Sequence, residues 1–221
     1  KGFIENHGGE IRLSTPVSRV VLGDGRVKGV EARDEFLAFD KVVSTVPLPY
    51  VPRLMADLPA SLLDAYRSVK NIAVVCVIAK LKKPVTENFW LNTNDPEMDI
   101  PGLVEYTNLR PLDQHIVYVP FYMPAEHPKY QEPDSVFLEK VRRYLGKINP
   151  ELGDADFIEL RASRYPFAQP ICEPGFLDRL PPVQLPVKGL WVADTSYYYP
   201  EDRGISESIA FGRNMARLAT A

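Results

Sequence analysis

The amino-acid sequence predicts an α+β fold, in which strands and helices occupy separate segments rather than a regular alternation. Three observations predict this class. Short strands surround an Asp24-Gly25 turn near the N-terminus, longer apolar strands and one amphipathic helix occupy the centre, and an apolar strand followed by a helix closes the chain. The length of the central strands indicates a core sheet that belongs to a second region.

The composition is that of a globular protein of 221 residues, with 45% apolar and 25% charged residues. A formal net charge of −3 gives no broad attraction to nucleic acid or anionic lipid, so neither is a predicted partner. The longest apolar run, residues 72–79, is far shorter than the ~20 residues of a membrane helix. Cys76 and Cys172 lack the spacing of a zinc or redox pair, so we expect buried free thiols, a reducing compartment and a cytoplasmic location.

The N-terminal elements follow from alternation and turn residues. Residues 10–17 alternate apolar and polar side chains and predict a strand, and the Asp-Gly turn predicts a hairpin over residues 18–32. Strands are also predicted at residues 36–39 and 41–46, the second ending at Pro47, which cannot donate to a sheet. Residues 54–69 carry apolar side chains at helical spacing.

The central and C-terminal elements are longer. Strands are predicted at residues 71–81, 102–107, 115–122 and 156–165, and a helix begins at an Asp134-Ser135 cap and ends before Asn149-Pro150. Six prolines predict an irregular loop over residues 166–186. The last strand spans residues 189–193, and the last helix, residues 205–219, places Ile205, Ile209, Gly212 and Ala216 along one face.

Several kinds of chemistry lack the residues they need. The three histidines, His7, His115 and His127, have no second ligand nearby in the sequence, so no metal site is predicted. No serine lies in a Gly-x-Ser-x-Gly elbow. A glycine-rich phosphate loop is also absent from the sequence.

The C-terminal strand, loop and helix predict one half of a cofactor site. Asp194 follows the strand and can accept hydrogen bonds from a polyol, while the helix that Gly204 opens directs unsatisfied N–H groups and a positive dipole end at an anion. Structural alternatives remain open for each residue. Asp194 could instead cap a turn formed by Thr195 and Ser196. The tyrosines at 197–199 could pack as a surface loop, and Arg203 could pair with a neighbouring acid.

This segment, from Gly189-Leu-Trp-Val-Ala-Asp194 through Gly204-Ile-Ser-Glu-Ser-Ile-Ala-Phe-Gly212, resembles the C-terminal flavin motif of the FAD-dependent amine oxidase superfamily. The sequence of this segment is most similar to that of the bacterial protoporphyrinogen-oxidase-like and mutase-like members of the superfamily. The resemblance extends to the segments in which superfamily members pass between the substrate region and the FAD domain. Here these segments are residues 9–17, the Gly-Arg-Val-Lys-Gly-Val hairpin and residues 39–47.

The resemblance implies a division of the chain and a set of contacts. Residues 1–50 and 188–221 would belong to an FAD-binding domain, and residues 51–187 to a substrate domain with a mixed sheet and helices on one side. Val17 would touch the adenine through its backbone, Thr45 to Pro47 would lie beside the cofactor, and Asp194 would bind its ribityl or pyrophosphate part. Gly204, Ile205 and Ser206 would present the helix start to the flavin.

The substrate contacts are predicted mainly from aromatic density. Tyr165, Gln169, Tyr198 and Arg203 are the predicted substrate residues, with Tyr106, Tyr122 and Phe167 as further candidates for the cavity wall. The superfamily's amine oxidases carry a lysine on a substrate-domain strand, and here that position falls at Cys76 or its neighbours. Oxidation of an amine is therefore not the predicted reaction.

The superfamily's N-terminal glycine fingerprint is absent from this sequence. We therefore expect the chain to need that N-terminal FAD-binding region as a partner and not to bind FAD alone. The predicted function is that of the C-terminal part of an FAD-dependent oxidoreductase that takes hydride from a C–H bond of a small organic substrate. Two alternatives remain: a flavin-dependent nucleotide-sugar mutase, in which Arg161, Arg164 and Arg203 face a diphosphate, and a non-catalytic binding module that has lost the cofactor.

Overall fold

A computed structural model of the chain describes residues 1–220 and confirms the α+β class. The chain forms two compact units. The first unit joins Lys1–Lys70 to the chain from Pro170 onward, and the second unit is Asn71–Gln169. Residues 51–70 and 170–187, which the sequence grouped with the central region, thus pack with the terminal segments.

Two small sheets organise the first unit. Strands β1 (Val17–Gly23), β2 (Arg26–Ala32) and β3 (Glu35–Ala38) form an antiparallel sheet in that order. Asp24 and Gly25 turn the predicted hairpin with φ of 52° and 71°. Strands β4 (Val42–Ser44) and β10 (Leu190–Val192) form a parallel pair. The two paired strands are far apart in sequence, so this pair fixes the C-terminal segment beside residues 42–48.

The helices of the first unit contribute buried residues to it, except the N-terminal helix, which is exposed. They are α1 (Gly2–Asn6), α2 (Val51–Leu54), α3 (Ala60–Ser68), α5 (Phe176–Arg179) and α6 (Ile205–Thr220). Leu48, Met55, Tyr66 and Leu190 are fully buried between these helices and the strands. The apolar spacing of residues 54–69 thus contributes to a shared core, as a helical pattern predicts.

The strand predicted over residues 10–17 is wrong except for Val17. Residues 10–16 form no strand, and their side chains are exposed or half-buried. Ser14 has a φ of 50°, which interrupts an extended backbone. Alternation alone does not make a strand where no neighbouring strand is present to pair with it.

A five-stranded sheet forms the second unit, with the strand order β6-β7-β8-β5-β9. Its strands are β5 (Asn71–Leu81), β6 (Trp90–Asn92), β7 (Gly102–Glu105), β8 (His115–Met123) and β9 (Phe157–Pro170). Helix α4 (Asp134–Ile148) covers one face, where the rings of Phe121 and Phe137 lie 5.1 Å apart in an edge-to-face contact. This core is separate from that of the first unit.

Two further expectations are corrected by the fold. The predicted loop at residues 166–186 is wrong at its start, because β9 continues to Pro170. Strand β9 lies at the edge of its sheet, where proline is tolerated. The thiols are also less buried than expected, since Cys172 is exposed and Cys76 is half-buried on the sheet face away from α4. Met123, at the end of β8, is buried in the core of the second unit.

Candidate functional site

The carboxyl ends of β4 and β10 lie at one edge of the first unit. The strands are parallel, and the Ala193 amide donates to the Ser44 carbonyl over 3.0 Å. Thr45 and Pro47 follow β4, and Asp194 follows β10, so the structure brings these three predicted cofactor residues together. Ligands of parallel α/β sheets commonly bind beyond the carboxyl ends of the strands.

Asp194 joins the two loops at this edge. Its Oδ2 accepts a hydrogen bond from the Leu48 amide and its Oδ1 accepts one from the Ser196 amide, both over 2.8 Å. The carboxylate thus caps the 3₁₀ turn Thr195–Tyr198, as the structural alternative anticipated, and also holds residue 48 in place. Each oxygen keeps a further lone pair, so the half-buried carboxylate can also accept a hydrogen bond from a ligand.

Buried hydroxyl groups surround the turn. The Ser196 Oγ is buried and has no hydrogen-bond partner in the part of the chain that the structure describes. The Tyr197 hydroxyl donates to the Pro181 carbonyl over 2.8 Å. Burial raises the pKa of the Tyr66 and Tyr197 hydroxyls, and the charge of Asp194 raises both further, so these groups stay protonated at neutral pH. The unsatisfied Ser196 hydroxyl indicates a polar group that the chain itself does not supply.

The start of α6 is open to solvent. Ile205 is 82% exposed, and Ser206 is exposed as well. The first hydrogen bond of the helix joins the Ser208 amide to the Gly204 carbonyl, which leaves the preceding amides free of helical partners. The Glu207 carboxylate occupies the space that a Cβ at Gly204 would need. A larger residue there would only need the flexible Glu207 side chain to move, so this contact does not by itself require glycine, and the exposed helix start is accessible to an anion.

Helix α6 lies against β10 with one face. Phe211, Met215 and Ala219 pack around Trp191 and Ala193, and Lys41 donates to the Ala219 carbonyl over 2.5 Å. Ile205 and Ile209 lie on the predicted apolar face, where Ile209 is 54% exposed. No other part of the described chain covers this apolar face of α6.

The residues of the strand edge and the helix start fit a flavin cofactor. A carboxylate with spare lone pairs, an unsatisfied buried hydroxyl and an exposed helix N-terminus are the groups that a polyol chain and an anionic ring edge require. Thr45, Pro47, Asp194, Gly204, Ile205 and Ser206 would hold it.

The other predicted residues of the first unit make contacts that do not test their predicted roles. Val17 is 41% exposed and pairs with Ala32 in the antiparallel sheet. Tyr198 packs its ring against Phe211 with a centroid distance of 5.4 Å. Arg203 is exposed, and its amide donates to Asp202 over 2.7 Å. Roles for Val17, Tyr198 and Arg203 toward cofactor or substrate stay predictions.

The second unit has an open sheet face opposite α4. Strand register aligns Trp90 with Val104, Val104 with Tyr118, and Tyr118 with Ile78 across four neighbouring strands. Trp90, Tyr118 and Ile78 are 56%, 36% and 38% exposed. Tyr122, another predicted wall residue, lies further along the same face and is 41% exposed. The face is a continuous apolar and aromatic surface.

The predicted substrate residues of β9 lie on this face. Leu160 and Ala162 pack against the core under α4, so alternation places Tyr165 and Gln169 on the opposite side. The rings of Tyr165 and Phe167 are in edge-to-face contact, with centroids 6.5 Å apart. The structure therefore brings Tyr165 and Gln169 onto the same side of the sheet as Tyr122.

Arg164 lies on the α4 side of the same strand. Its guanidinium donates to the Tyr130 carbonyl over 3.0 Å and pairs with Asp134. The ring of Phe137 lies 5.5 Å from its charge. Since these contacts hold Arg164 within its own unit, the expectation that Arg161 and Arg164 together face a diphosphate is wrong for Arg164.

Sequence reasoning missed a buried carboxylate at the end of β7. Glu105 is fully buried, accepts a hydrogen bond from the Thr86 amide over 2.8 Å, and lies 3.5 Å from the His115 Nδ1. Burial raises the pKa of Glu105, against the opposing effect of the Thr86 and Val85 amides and of His115. The sequence signal that could have revealed Glu105 is the presence of an acid within the otherwise mostly apolar strand predicted over residues 102–107. Its contacts identify a residue that holds the loop after β5.

A second missed cluster centres on Asp99. Its carboxylate accepts hydrogen bonds from Lys129, from Lys140 over 2.9 Å and from the Tyr144 hydroxyl over 2.6 Å. Partial burial acts to raise the pKa of Asp99, but the hydrogen bonds outweigh it and hold that pKa well below its usual range. The cluster ties residues 93–101 to α4. Nothing in the local sequence pattern reveals it, because the partners of Asp99 lie 30, 41 and 45 positions away from it.

The described residues contain neither a cluster of metal ligands nor a membrane-spanning helix. Among residues 1–220, no three histidine, cysteine or acidic side chains gather as metal ligands would. None of the helices in that range has the length and apolarity to span a bilayer.

Solved structures share this fold. An oxidoreductase from Methanosarcina mazei matches with a TM-score of 0.64 and 17% identity, over 86% of this chain and 46% of its own. A putative protoporphyrinogen oxidase from Exiguobacterium sp. 255-15 matches with a TM-score of 0.65 and 20% identity, over 85% and 43%. A reduced UDP-galactopyranose mutase matches with a TM-score of 0.60 and 13% identity, over 79% and 39%.

This chain therefore spans less than half the length of these structures. No curated protein matches it. The profile of the family described as flavin containing amine oxidoreductase matches residues 2–201, which is most of the sequence. This match establishes that the chain belongs to the flavin-containing amine oxidoreductase family.

Proposed function

We propose that this chain is the C-terminal part of an FAD-dependent oxidoreductase that oxidises a C–H bond of a small organic substrate. The observation that carries the proposal is the joint placement of Asp194, Thr45 and Pro47 at the carboxyl ends of a parallel strand pair, together with the exposed start of α6. When bound, the flavin supplies the hydride acceptor.

The residues of the chain have distinct parts in this proposal. The Asp194 carboxylate accepts a hydrogen bond from the ribityl chain while it keeps the Leu48 and Ser196 amides in place. The amides at the start of α6 stabilise negative charge on the ring edge through the helix dipole. The open sheet face of the second unit, including Tyr122, Tyr165 and Gln169, offers apolar and aromatic side chains to a substrate.

The residue at the centre of the open face favours a substrate other than an amine. Cys76 lies there, directly opposite Pro120 on β8, at or beside the position that resemblance gives to the amine oxidases' lysine. Burial raises the pKa of the Cys76 thiol, so it is a neutral group at physiological pH. A neutral thiol cannot take the place of a lysine that holds water by its charge.

The proposed partner is an N-terminal region that carries the glycine fingerprint for the ADP part of FAD. The solved relatives are more than twice as long as the portion that this chain matches, which supports the presence of such a region in the working enzyme. A cytoplasmic location for that enzyme remains a prediction from the cysteines.

Flavin binding tests the proposal directly. The chain and a form extended by its upstream coding sequence are purified, and their absorbance near 450 nm is compared. We expect flavin in the extended protein, little in the chain alone, and a loss of at least about tenfold in affinity for Asp194→Ala, since a charge-assisted hydrogen bond is removed. An extended protein that carries the fingerprint but takes up no FAD would contradict the proposal.

Substrate-dependent bleaching of the bound flavin separates oxidoreductase from isomerase. A mutase would turn over only with reduced flavin and would lose activity on Arg203→Ala. A binding module without the cofactor would show neither signal in the extended form. The fold likeness to a UDP-galactopyranose mutase does not choose between these, and the engagement of Arg164 by Tyr130 and Asp134 weighs against the mutase.

A further inference from the structure

The open sheet face of the second unit carries one cation that has no partner. Lys80 lies on β5 directly opposite Ile116 on β8, and alternation places it on the same side as Cys76 and Ile78. Its side chain is half-buried. Its ammonium forms no ion pair or hydrogen bond with any residue from 1 to 220 that the structure describes.

Of the five other lysines of the second unit, four have an acidic partner and only the exposed Lys82 has none among residues 1–220. Lys83 pairs with Asp156 over 3.2 Å, Lys140 with Asp99 over 2.9 Å, and Lys147 with Asp95 over 2.6 Å. Burial covers part of the Lys80 side chain, and no acid within the described residues neutralises its ammonium. Lys80 is thus poised to receive an anion from outside the chain.

The surroundings of Lys80 define what else that ligand would contact. Ile78 on β5 and Tyr118 on β8 form the neighbouring cross-strand pair on this face, two residues along from Lys80 and Ile116. The ring of Tyr106 makes an edge-to-face contact with that of Tyr118, with centroids 6.4 Å apart. Trp90 lies at the far end of the row of aligned side chains that contains this pair. The nearest acid that alternation places on this face, Glu159, is already paired with Arg161.

We propose that this face binds a flat apolar molecule that carries a carboxylate, and that Lys80 selects it over a cationic amine. The aromatic row receives the ring system, and the Lys80 ammonium pairs with the anion at its edge. As a substrate site this inference rests on the proposed function, but the binding step needs no flavin. Lys80 is in this proposal a specificity-determining residue.

Three pyrene probes of one shape test the selection: 1-pyrenecarboxylate, 1-pyrenemethanol and 1-pyrenemethylamine. Each is titrated into the full chain, and energy transfer from tryptophan to pyrene reports binding. In a Trp191→Phe background Trp90 is the only tryptophan left in the chain, so all of the transfer comes from the tryptophan on this face. We expect the carboxylate to bind about tenfold more tightly than the ammonium probe in that background.

Lys80→Gln then isolates the charge. The variant should weaken carboxylate binding about tenfold and leave the neutral alcohol within about twofold. Lys82→Gln is the matched control, because Lys82 is exposed just after β5 ends. Thermal melts establish that both variants fold.

Three results would overturn the proposal. They are equal losses for Lys80→Gln and Lys82→Gln, tighter binding of the ammonium probe, and carboxylate binding that leaves Trp90 fluorescence unchanged. A concentration-dependent dimer that Tyr118→Asp dissociates and that excludes all three probes would assign the face to a second copy of the chain instead. Failure of the extended protein to bind FAD would leave these results unaffected, so the two proposals fail separately.

Discussion

The Asp194 carboxylate is shared by two backbone amides, which makes it sensitive to the loss of a single acceptor oxygen. In Asp194→Asn one of the two positions becomes an NH₂ group that faces an N–H donor. We expect the free energy of unfolding to fall by about 1–3 kcal/mol. Urea denaturation of the purified chain measures it.

Asp202→Asn is the control for this substitution. Asp202 is exposed and accepts only the neighbouring Arg203 amide among its recorded contacts. Its replacement should change the free energy of unfolding by less than about 0.5 kcal/mol. Equal losses for the two variants would show that Asp194 does not hold the loops at residues 48 and 196 together.

Glu105 provides a prediction for the dependence of stability on pH. Burial raises its folded pKa above that of the unfolded chain, so its contribution is greatest below the unfolded pKa and declines as pH rises through the folded pKa. Glu105→Gln removes this titration. The difference in free energy of unfolding, wild type minus Glu105→Gln, should therefore decrease as pH increases above the model-peptide value of 4.5.

Groups near Glu105 must be separated from it in that measurement. His115 lies 3.5 Å from the carboxylate, so the same pair of proteins is compared in a His115→Gln background to remove the imidazole titration. Thermal or urea unfolding at several pH values gives the difference. A difference that grows with pH would mean that the Val85 and Thr86 amides outweigh burial and that the pKa of Glu105 is lowered.

Two glycines, one just before a strand and one inside a helix, predict opposite effects of alanine. Gly189 precedes β10 with a φ of 82°, and a Cβ there would collide with the Asp40 carbonyl. Gly189→Ala should destabilise the β4–β10 pair by more than about 2 kcal/mol. Gly212 lies within α6, and a Cβ there meets no atom within 4 Å.

Gly212→Ala should accordingly stabilise the chain by up to about 1 kcal/mol, because it removes the cost of glycine in a helix. Urea denaturation of both alanine variants under one set of conditions compares them. A destabilising Gly212→Ala would contradict this prediction, since it would mean that another group approaches this position closely.

Local pattern was sufficient for elements whose own residues determine them. The Asp24-Gly25 turn specifies its hairpin, and the apolar spacing from Phe137 to Leu145 specifies α4. Pattern was insufficient where position in a sheet decides. The prolines at 166 and 170 read as a loop, yet β9 tolerates them at a sheet edge.

The candidate site shows the same limit. The motif around residues 189–212 identified Asp194 and Gly204, but their partners could not be read from it. The Leu48 amide is 146 positions from Asp194, and the open face of the second unit depends on the register of four strands. Long-range pairing of this kind leaves no periodic signal in the sequence.

At the scale of the whole molecule, the two units have separate cores and each contains one tryptophan. Phe121 and Phe137 belong to the core of the second unit with Trp90 on its open face, whereas Leu48 and Leu190 belong to the first unit, which contains Trp191. The two residues can therefore report unfolding of the two units separately: Trp191→Phe leaves Trp90 as the reporter of the second unit, and Trp90→Phe leaves Trp191 as the reporter of the first.

Phe121→Ala tests whether these cores are independent. The ring is fully buried against Phe137, so its loss should cost the second unit about 3–5 kcal/mol. Combined with Trp191→Phe, it should lower the urea midpoint that Trp90 reports; combined with Trp90→Phe, it should leave the midpoint that Trp191 reports unchanged. A matched Met55→Ala substitution should do the reverse, because Met55 is fully buried in the first unit. If either substitution shifted both midpoints equally, the units would unfold as one cooperative structure, and their separate cores would not mark separate folding units.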